Sequence, residues 1–246
     1  MKLQFVGCGD AFGSGGRFNT CFHLAGDTTN ILIDCGASSL IALKKLKIDR
    51  NAITAIVVTH FHADHFGGIP FFILDAQLFS KRRAPLTIVG PVGIDAWYER
   101  VMETAFPGSS RASRKFNLDL MEVPAGGTID LEGLRVGAYQ ARHGPPGGPC
   151  LAVRIEAEGR VITYSGDTEW TPELIDAARN ADLFIAEAYF RDKSIATHLS
   201  LNAIEAHLDE LQPKRLILTH MSDDMLDRVG TLNFEAAEDG KIVEIG

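Results

Sequence analysis

The stretch VVTHFHADHFGGIPFF, residues 57–72, places His60, His62, Asp64 and His65 within six positions between two apolar runs. The run that leads into it, AITAIVVTH, is apolar and β-branched, as expected of a strand buried on both faces. The run that follows, GGIPFFILDAQLFSK, predicts a helix. Imidazole and carboxylate groups crowded at the end of a buried strand are costly to desolvate unless they bind something. A tight turn can aim His60 and His62 at one point and Asp64 and His65 at another. Two neighbouring metal centres are therefore expected, of donor types that suit Zn²⁺ and also Mn²⁺ or Fe²⁺. Gly67 and Gly68 are expected to leave backbone room beside the site.

Other strands repeat the pattern further along the chain. VITYSG ends in Asp167, RLILT ends in His220, and the less regular VGAYQAR ends in His143. Sheet proteins often mount ligands at the carboxyl ends of strands, where the sheet fixes them and loops reach solvent. Further strands are predicted at KLQFVGC, TCFHLAG, NILIDCG, LTIVG, CLAVRIEAEG and DLFIAEAY, with a hairpin turn at DTTN. Helices are predicted at SSLIALKKLKI, with Ser38 or Ser39 as its cap, and at PVGIDAWYERVMETAF, PELIDAARN and SLNAIEAHLDEL. Residues 106–118, with Arg111, Arg114 and Lys115, read as a surface loop, and whether it is a lid is left open. The glycine-rich GCGDAFGSGG opens no helix and is not a dinucleotide fingerprint. It reads as a loop, with Asp10 and Asn19 as candidates to border the site.

Composition sets outer limits. The 246 residues are 46% hydrophobic, enough for a sizeable core, and are read as a single domain over 1–246. The net charge of −8 disfavours broad attraction to nucleic acid or an anionic membrane. Cys8, Cys21, Cys35 and Cys150 form no CxxC pair and read as reduced, buried thiols. MKLQFVGCGD has no signal-peptide core, and no apolar run approaches the roughly 18 residues of a membrane span, so a cytoplasmic location is expected.

THFHADHFGG resembles the signature of the metallo-β-lactamase fold superfamily. The likeness runs along most of the chain, through VGCGDAFGSGGRFNTCF, LIDCG, ARHGPPGGPCLAVRI, YSGDTEW, FIAEAYF, THLS and LTHMS. That order is similar to the ribonuclease Z and cyclic-phosphate phosphodiesterase branch. The resemblance implies a four-layer αββα sandwich and a dinuclear centre. By motif position it implies that His60, His62 and His143 hold one metal, that Asp64, His65 and His220 hold the other, and that Asp167 bridges them. Asp34 in ILIDCG is expected to orient a ligand histidine. His198 matches a non-ligand histidine that serves a phosphate or leaving oxygen, with Glu187 as its acidic support.

The implied function is a hydrolase that cleaves a small or cyclic phosphodiester through a metal-bridging hydroxide, with Asp64, His198 and Glu187 in catalytic roles. Secreted β-lactamases carry a signal peptide and usually lack the ligand His220 supplies. Glyoxalase-type thioesterases carry a helical domain after the last ligand, whereas 26 residues follow His220. Lactonases stay open, as does a non-catalytic metal-binding module. Ribonuclease Z carries a long arm between the third histidine motif and the bridging aspartate. Here His143 and Asp167 are 24 positions apart, and AEAYF departs from the family wording. RNA is therefore not the expected partner, though an arm-less ribonuclease Z-like endonuclease stays an alternative. A homodimer is compatible with the sequence. His23 and His207 match no motif, and His207 is expected to be structural.

Overall fold

The computed structural model describes residues 1–144 and 149–246. The loop part of ARHGPPGGPCLAVRI, residues 145–148, lies outside the described residues. The first half of the chain builds one sheet from β1 (Lys2–Gly7), β2 (Cys21–Ala25), β3 (Asn30–Ile33), β4 (Ala55–Val57), β5 (Leu86–Gly90) and β6 (Leu118–Glu122). The second half builds another from β7 (Thr128–Leu131), β8 (Leu134–Gln140), β9 (Leu151–Ala157), β10 (Arg160–Tyr164), β11 (Leu183–Glu187), β12 (Leu216–Thr219) and β13 (Glu235–Ala236). The last strand, β14 (Ile242–Glu244), returns to the first sheet and pairs antiparallel with β1. The orders are β14-β1-β2-β3-β4-β5-β6 and β13-β12-β11-β10-β9-β8-β7.

Period-two alternation explains the layers. Along the first sheet Phe5, Ile31, Ile33, Ala55 and Val57 turn inward, and Leu151, Val153, Ile155, Leu183, Ile185 and Ile217 meet them from the second. The alternate residues Val6, Leu32, Ile56, Val58 and Ile88 face outward, against α1 (Ser39–Lys45), α3 (Ile69–Leu78) and α4 (Ile94–Ala105). Between α1 and α3 the short α2 (Ala63–Phe66) carries Asp64 and His65. On the other side Phe184, Ala186 and Leu218 pack against α5 (Glu173–Ala178), α6 (Leu201–Ala206), α7 (Leu208–Leu211) and α8 (Asp223–Leu226). Both faces of the inner strands are apolar, as parallel strands require. The result is an αββα sandwich.

β3, β4, β5 and β6 run parallel, as do β10, β11, β12 and β13. β8 and β10 both pair antiparallel with β9 and so point the same way. The carboxyl ends of β4, β8, β10, β11 and β12 thus lead to His60, His143, Asp167, Glu187 and His220 on one edge.

Several expectations need correction. Ser38 occupies the N-cap position of α1 with helical backbone angles and no capping bond. Its Oγ instead accepts from Asn19 N–H at 2.8 Å. The helix expected over SLNAIEAHLDEL breaks at His207, whose φ of −119° leaves the helical region. Gly68 does not leave open space: a Cβ there would meet Gly36 O at 2.2 Å, and one on Gly36 would meet Asp64 O at 2.1 Å. These two glycines let the β3–α1 loop press against the HADH turn. β6, β7, β13 and β14 are not marked by the sequence pattern. Their faces are half exposed, so their apolar signal is diluted.

Candidate metal centre

The edge between the sheets brings together all seven candidate ligands, with Glu187 and His198 beside them. His60, His62 and His143 present ring nitrogens within 4.8 Å of one another, and Asp64, His65, Asp167 and His220 form a second such group. The His143 and His62 rings meet at 2.9 Å between Nε2 and Nδ1. In the second group His65 Nε2 lies 3.3 Å from Asp64 Oδ2 and 3.2 Å from Asp167 Oδ1. His220 Nε2 lies 3.2 Å from Asp64 Oδ2 and 3.5 Å from Asp167 Oδ2. Asp167 Oδ2 is also 3.7 Å from His143 Nε2 and 4.0 Å from His60 Nε2, so this carboxylate stands between the two groups.

The supports fix which nitrogen faces inward. Asp34 sits at the end of β3 in the left-handed region, with φ 58°, fully buried. Its Oδ2 takes His65 Nδ1 at 2.6 Å and the Thr59 hydroxyl at 2.8 Å, and its Oδ1 takes Thr59 N–H at 2.7 Å. The Thr59 hydroxyl is in turn 3.2 Å from His60 Nδ1. One carboxylate thus aligns His65 directly and His60 through Thr59, and leaves the Nε2 atoms turned to the centre. His143 is set differently. Its Nδ1 donates to Thr197 O at 2.8 Å, and Thr197 holds φ 83°, a strained angle for a β-branched residue. Cys150 Sγ donates to His143 O at 2.9 Å.

Charge explains the electrostatics. Burial works against both charged carboxylates, yet contacts with His220 and His65 hold Asp64 and Asp167 below the usual carboxylate range. Burial opposes a charged His220, but Asp167 and Asp64 push its imidazolium up to about 9. Burial and the neighbouring His65 push His60 down. Two buried carboxylates thus draw positive charge to this spot. His60 Nε2, His65 Nε2, Asp167 Oδ1 and His220 Nδ1 are buried without a hydrogen-bond partner. In its neutral form His65 turns a lone pair toward carboxylate oxygens, which repel it. The nitrogen and oxygen donors, without thiolate, fit divalent cations.

Beside the two groups, His198 Nδ1 donates to Glu187 Oε2 at 2.8 Å. Glu187 is fully buried, and its Oε1 accepts the N–H groups of Thr168 and Leu199. Burial opposes the charged form of His198, but Glu187 outweighs it and raises the imidazole. Ala11, Phe12, His62, Asp64, His143, Asp167, Tyr189, His198 and His220 line a pocket of about 210 Å³. Asp10 is buried and organises the glycine-rich loop at its rim. His23 pairs with Asn30, and His207 stacks on Trp170 at 3.7 Å, both away from the pocket. Sequence reasoning passed over Thr59, Thr197, Phe12 and Tyr189. Thr59 and Thr197 shared a signal, since Thr-His occurs in VVTH, ATHLS and LILTH.

The profile of the family described as anti-Pycsar protein Apyc1 matches residues 1–240. The chain belongs to this family. A ribonuclease Z of Methanosarcina acetivorans is 26% identical over 93% of this chain and 90% of that protein. The crystal structure of the short form of human tRNase Z is 26% identical, with a TM-score of 0.80 and full coverage of both chains. A diphosphatase from the PhnP family shares the fold, at 20% identity and a TM-score of 0.80, over 100% of this chain and 98% of that one. The chain is thus a metal-dependent hydrolase of the metallo-β-lactamase fold, in its ribonuclease Z-like branch. Among the described residues no helix is long and apolar enough to cross a membrane.

Proposed function

We propose that this protein is a dinuclear phosphodiesterase that acts on a small or cyclic phosphodiester. His60, His62 and His143 would hold one cation, and Asp64, His65 and His220 the other, with Asp167 serving both. The observation that carries the reading is Asp167, within 4.0 Å of ring nitrogens in both groups and with one oxygen unpartnered. When bound, divalent cations supply Lewis acidity, which polarises a phosphoryl oxygen and lowers the pKa of water. The chain's own residues do the rest. Asp34, Thr59 and Thr197 hold the imidazoles in the required tautomer and orientation. Asp64 accepts or relays a proton at the pocket floor. Glu187 fixes His198 through Nδ1, which leaves Nε2 as the atom that donates to a phosphate oxygen or protonates the leaving oxygen.

An RNA endonuclease is the second reading, favoured by the names of the relatives at 26% identity. Against it stand the short link between His143 and Asp167, which holds β9 and β10, and the −8 charge. One preparation decides. Elemental analysis should give two metals per chain. The same sample should turn over bis(p-nitrophenyl) phosphate or a cyclic nucleotide, leave lactones untouched and barely process precursor tRNA. A single metal at saturation overturns the dinuclear reading. Lactone hydrolysis alone, or efficient cleavage at a tRNA 3′ end, overturns the substrate.

A further inference from the structure

Phe12 has no place in the chemistry above, yet it lines the pocket and is 85% exposed. Exposing a whole phenyl ring to water is unfavourable, and a loop residue free to turn would tuck it away. The backbone that carries Phe12 is held in place. The buried carboxylate of Asp10 accepts Phe12 N–H at 3.2 Å, Ser14 N–H at 2.9 Å and the Ser14 hydroxyl at 2.8 Å. Asn19 Nδ2 ties Asp10 O at 3.0 Å, and Gly15 N–H donates to Asp223 Oδ1 of α8 at 3.1 Å. The loop is therefore built to present the ring.

A second aromatic lines the same pocket. Tyr189 stacks on His198, with centroids 4.6 Å apart and planes at 22°, and the charge of the same Asp10 acts on its hydroxyl. The pocket thus has a floor of histidines and carboxylates and an aromatic rim formed by Phe12 and Tyr189. A phosphodiester with its phosphate on that floor leaves its substituent at the rim. Planar aromatic groups gain most there, because stacking works on any π-face without hydrogen-bond complementarity.

We propose that Phe12 is a specificity-determining residue, which stacks on a planar aromatic ring carried by the phosphodiester and separates such substrates from those without one. The proposal rests on the phosphodiesterase reading, and the test keeps the two apart. Wild type, Phe12→Ala and Phe12→Trp are compared on a 3′,5′-cyclic nucleotide and on the cyclic phosphate of 1,3-propanediol, which has the same six-membered phosphodiester and no base. In Phe12→Ala the preference in kcat/KM for the nucleotide should fall about 5- to 100-fold. The change should lie in KM rather than kcat, as expected when binding is lost equally from ground and transition states. Phe12→Trp should restore the preference. An unchanged preference, or an equal loss on both substrates, overturns the role of Phe12 and leaves the phosphodiesterase reading standing. Failure of the wild type on both substrates removes that reading, and the inference with it.

Discussion

The two ends of the strands treat buried polar groups in opposite ways. At the amino ends of β4 and β5, Arg82 is 1% exposed, and among the described residues no carboxylate is bonded to it. It is nonetheless satisfied, since it donates to the carbonyls of Arg50, Asn51, Ile53, Ala84 and Pro85. At the same end Glu158, from the β9–β10 turn, accepts the N–H groups of Asp27, Thr28 and Thr29 and so clasps the β2–β3 turn of the other sheet. At the carboxyl ends, His60, His65, Asp167 and His220 keep buried atoms unpaired. Native proteins leave few such atoms, and each one asks for an explanation. At one end the chain itself satisfies a buried guanidinium, and at the other the unpaired atoms of four neighbouring side chains gather at one point, as a ligand would require.

That contrast can be broken by substitution. Asp167→Ala should have the largest effect, a loss of turnover of at least about 10³-fold together with both metals. His60→Ala should chiefly weaken one site. The stability of the metal-free proteins sharpens the point. Asp167→Ala without metal should unfold at no lower urea concentration than metal-free wild type, because it removes a carboxylate whose environment is incomplete. A large destabilisation would show that this end, too, is self-sufficient. His198→Ala should keep two metals and lose about 10²–10⁴-fold in kcat. The loss should shrink for p-nitrophenyl esters, whose leaving group needs little protonation. Loss of metal would instead make His198 a ligand.

The other end should answer in stability and not in chemistry. Arg82→Met removes the donors of five carbonyls, the buried one of Ile53 among them, and should destabilise by about 3 kcal/mol, read by urea unfolding. A change of under about 1 kcal/mol would mean that water replaces the guanidinium there. The smallest effect belongs to Glu158. Three backbone N–H groups hold its carboxyl down at about 2, against an ordinary 4.5, with the N–H of Thr28 contributing most. A depressed pKa stabilises above the unfolded value, so the contribution is present at pH 5 and above and is lost toward pH 2. Glu158→Gln should lower Tm by a few degrees at pH 7. That difference should shrink steadily as pH falls below about 4.5. A difference independent of pH would assign the effect to packing.

The candidate site was legible because its residues end strands whose apolar runs are strong. His60, Asp167 and His220 follow such runs, and the HxHxDH spacing is dense enough to stand out in one sequence. The αββα layers were legible for the same reason, through strands apolar on both faces. The supports were harder to see. Thr197 works through its carbonyl oxygen, and no side-chain type announces a backbone acceptor. Ser38 carries the chemistry of a helix cap, but Asn19 takes its hydroxyl, a competition set by two segments that meet only in the fold. At the break His207 stacks on Trp170, a contact between distant segments that helix spacing does not reveal. Phe12 resembles any core phenylalanine until the loop around Asp10 turns it outward.

The return of β14 to β1 has a consequence for how the protein is made. The strands of the first sheet leave the ribosome before those of the second, and domains form as their chain emerges. The outer edge of β1 then has no partner until residues 242–244 arrive, after the whole second sheet. Through most of synthesis the nascent chain therefore carries an open strand edge, the feature through which chains pair wrongly with one another. Lys2 lies exposed on that strand, a charge of the kind that discourages such pairing while the edge waits.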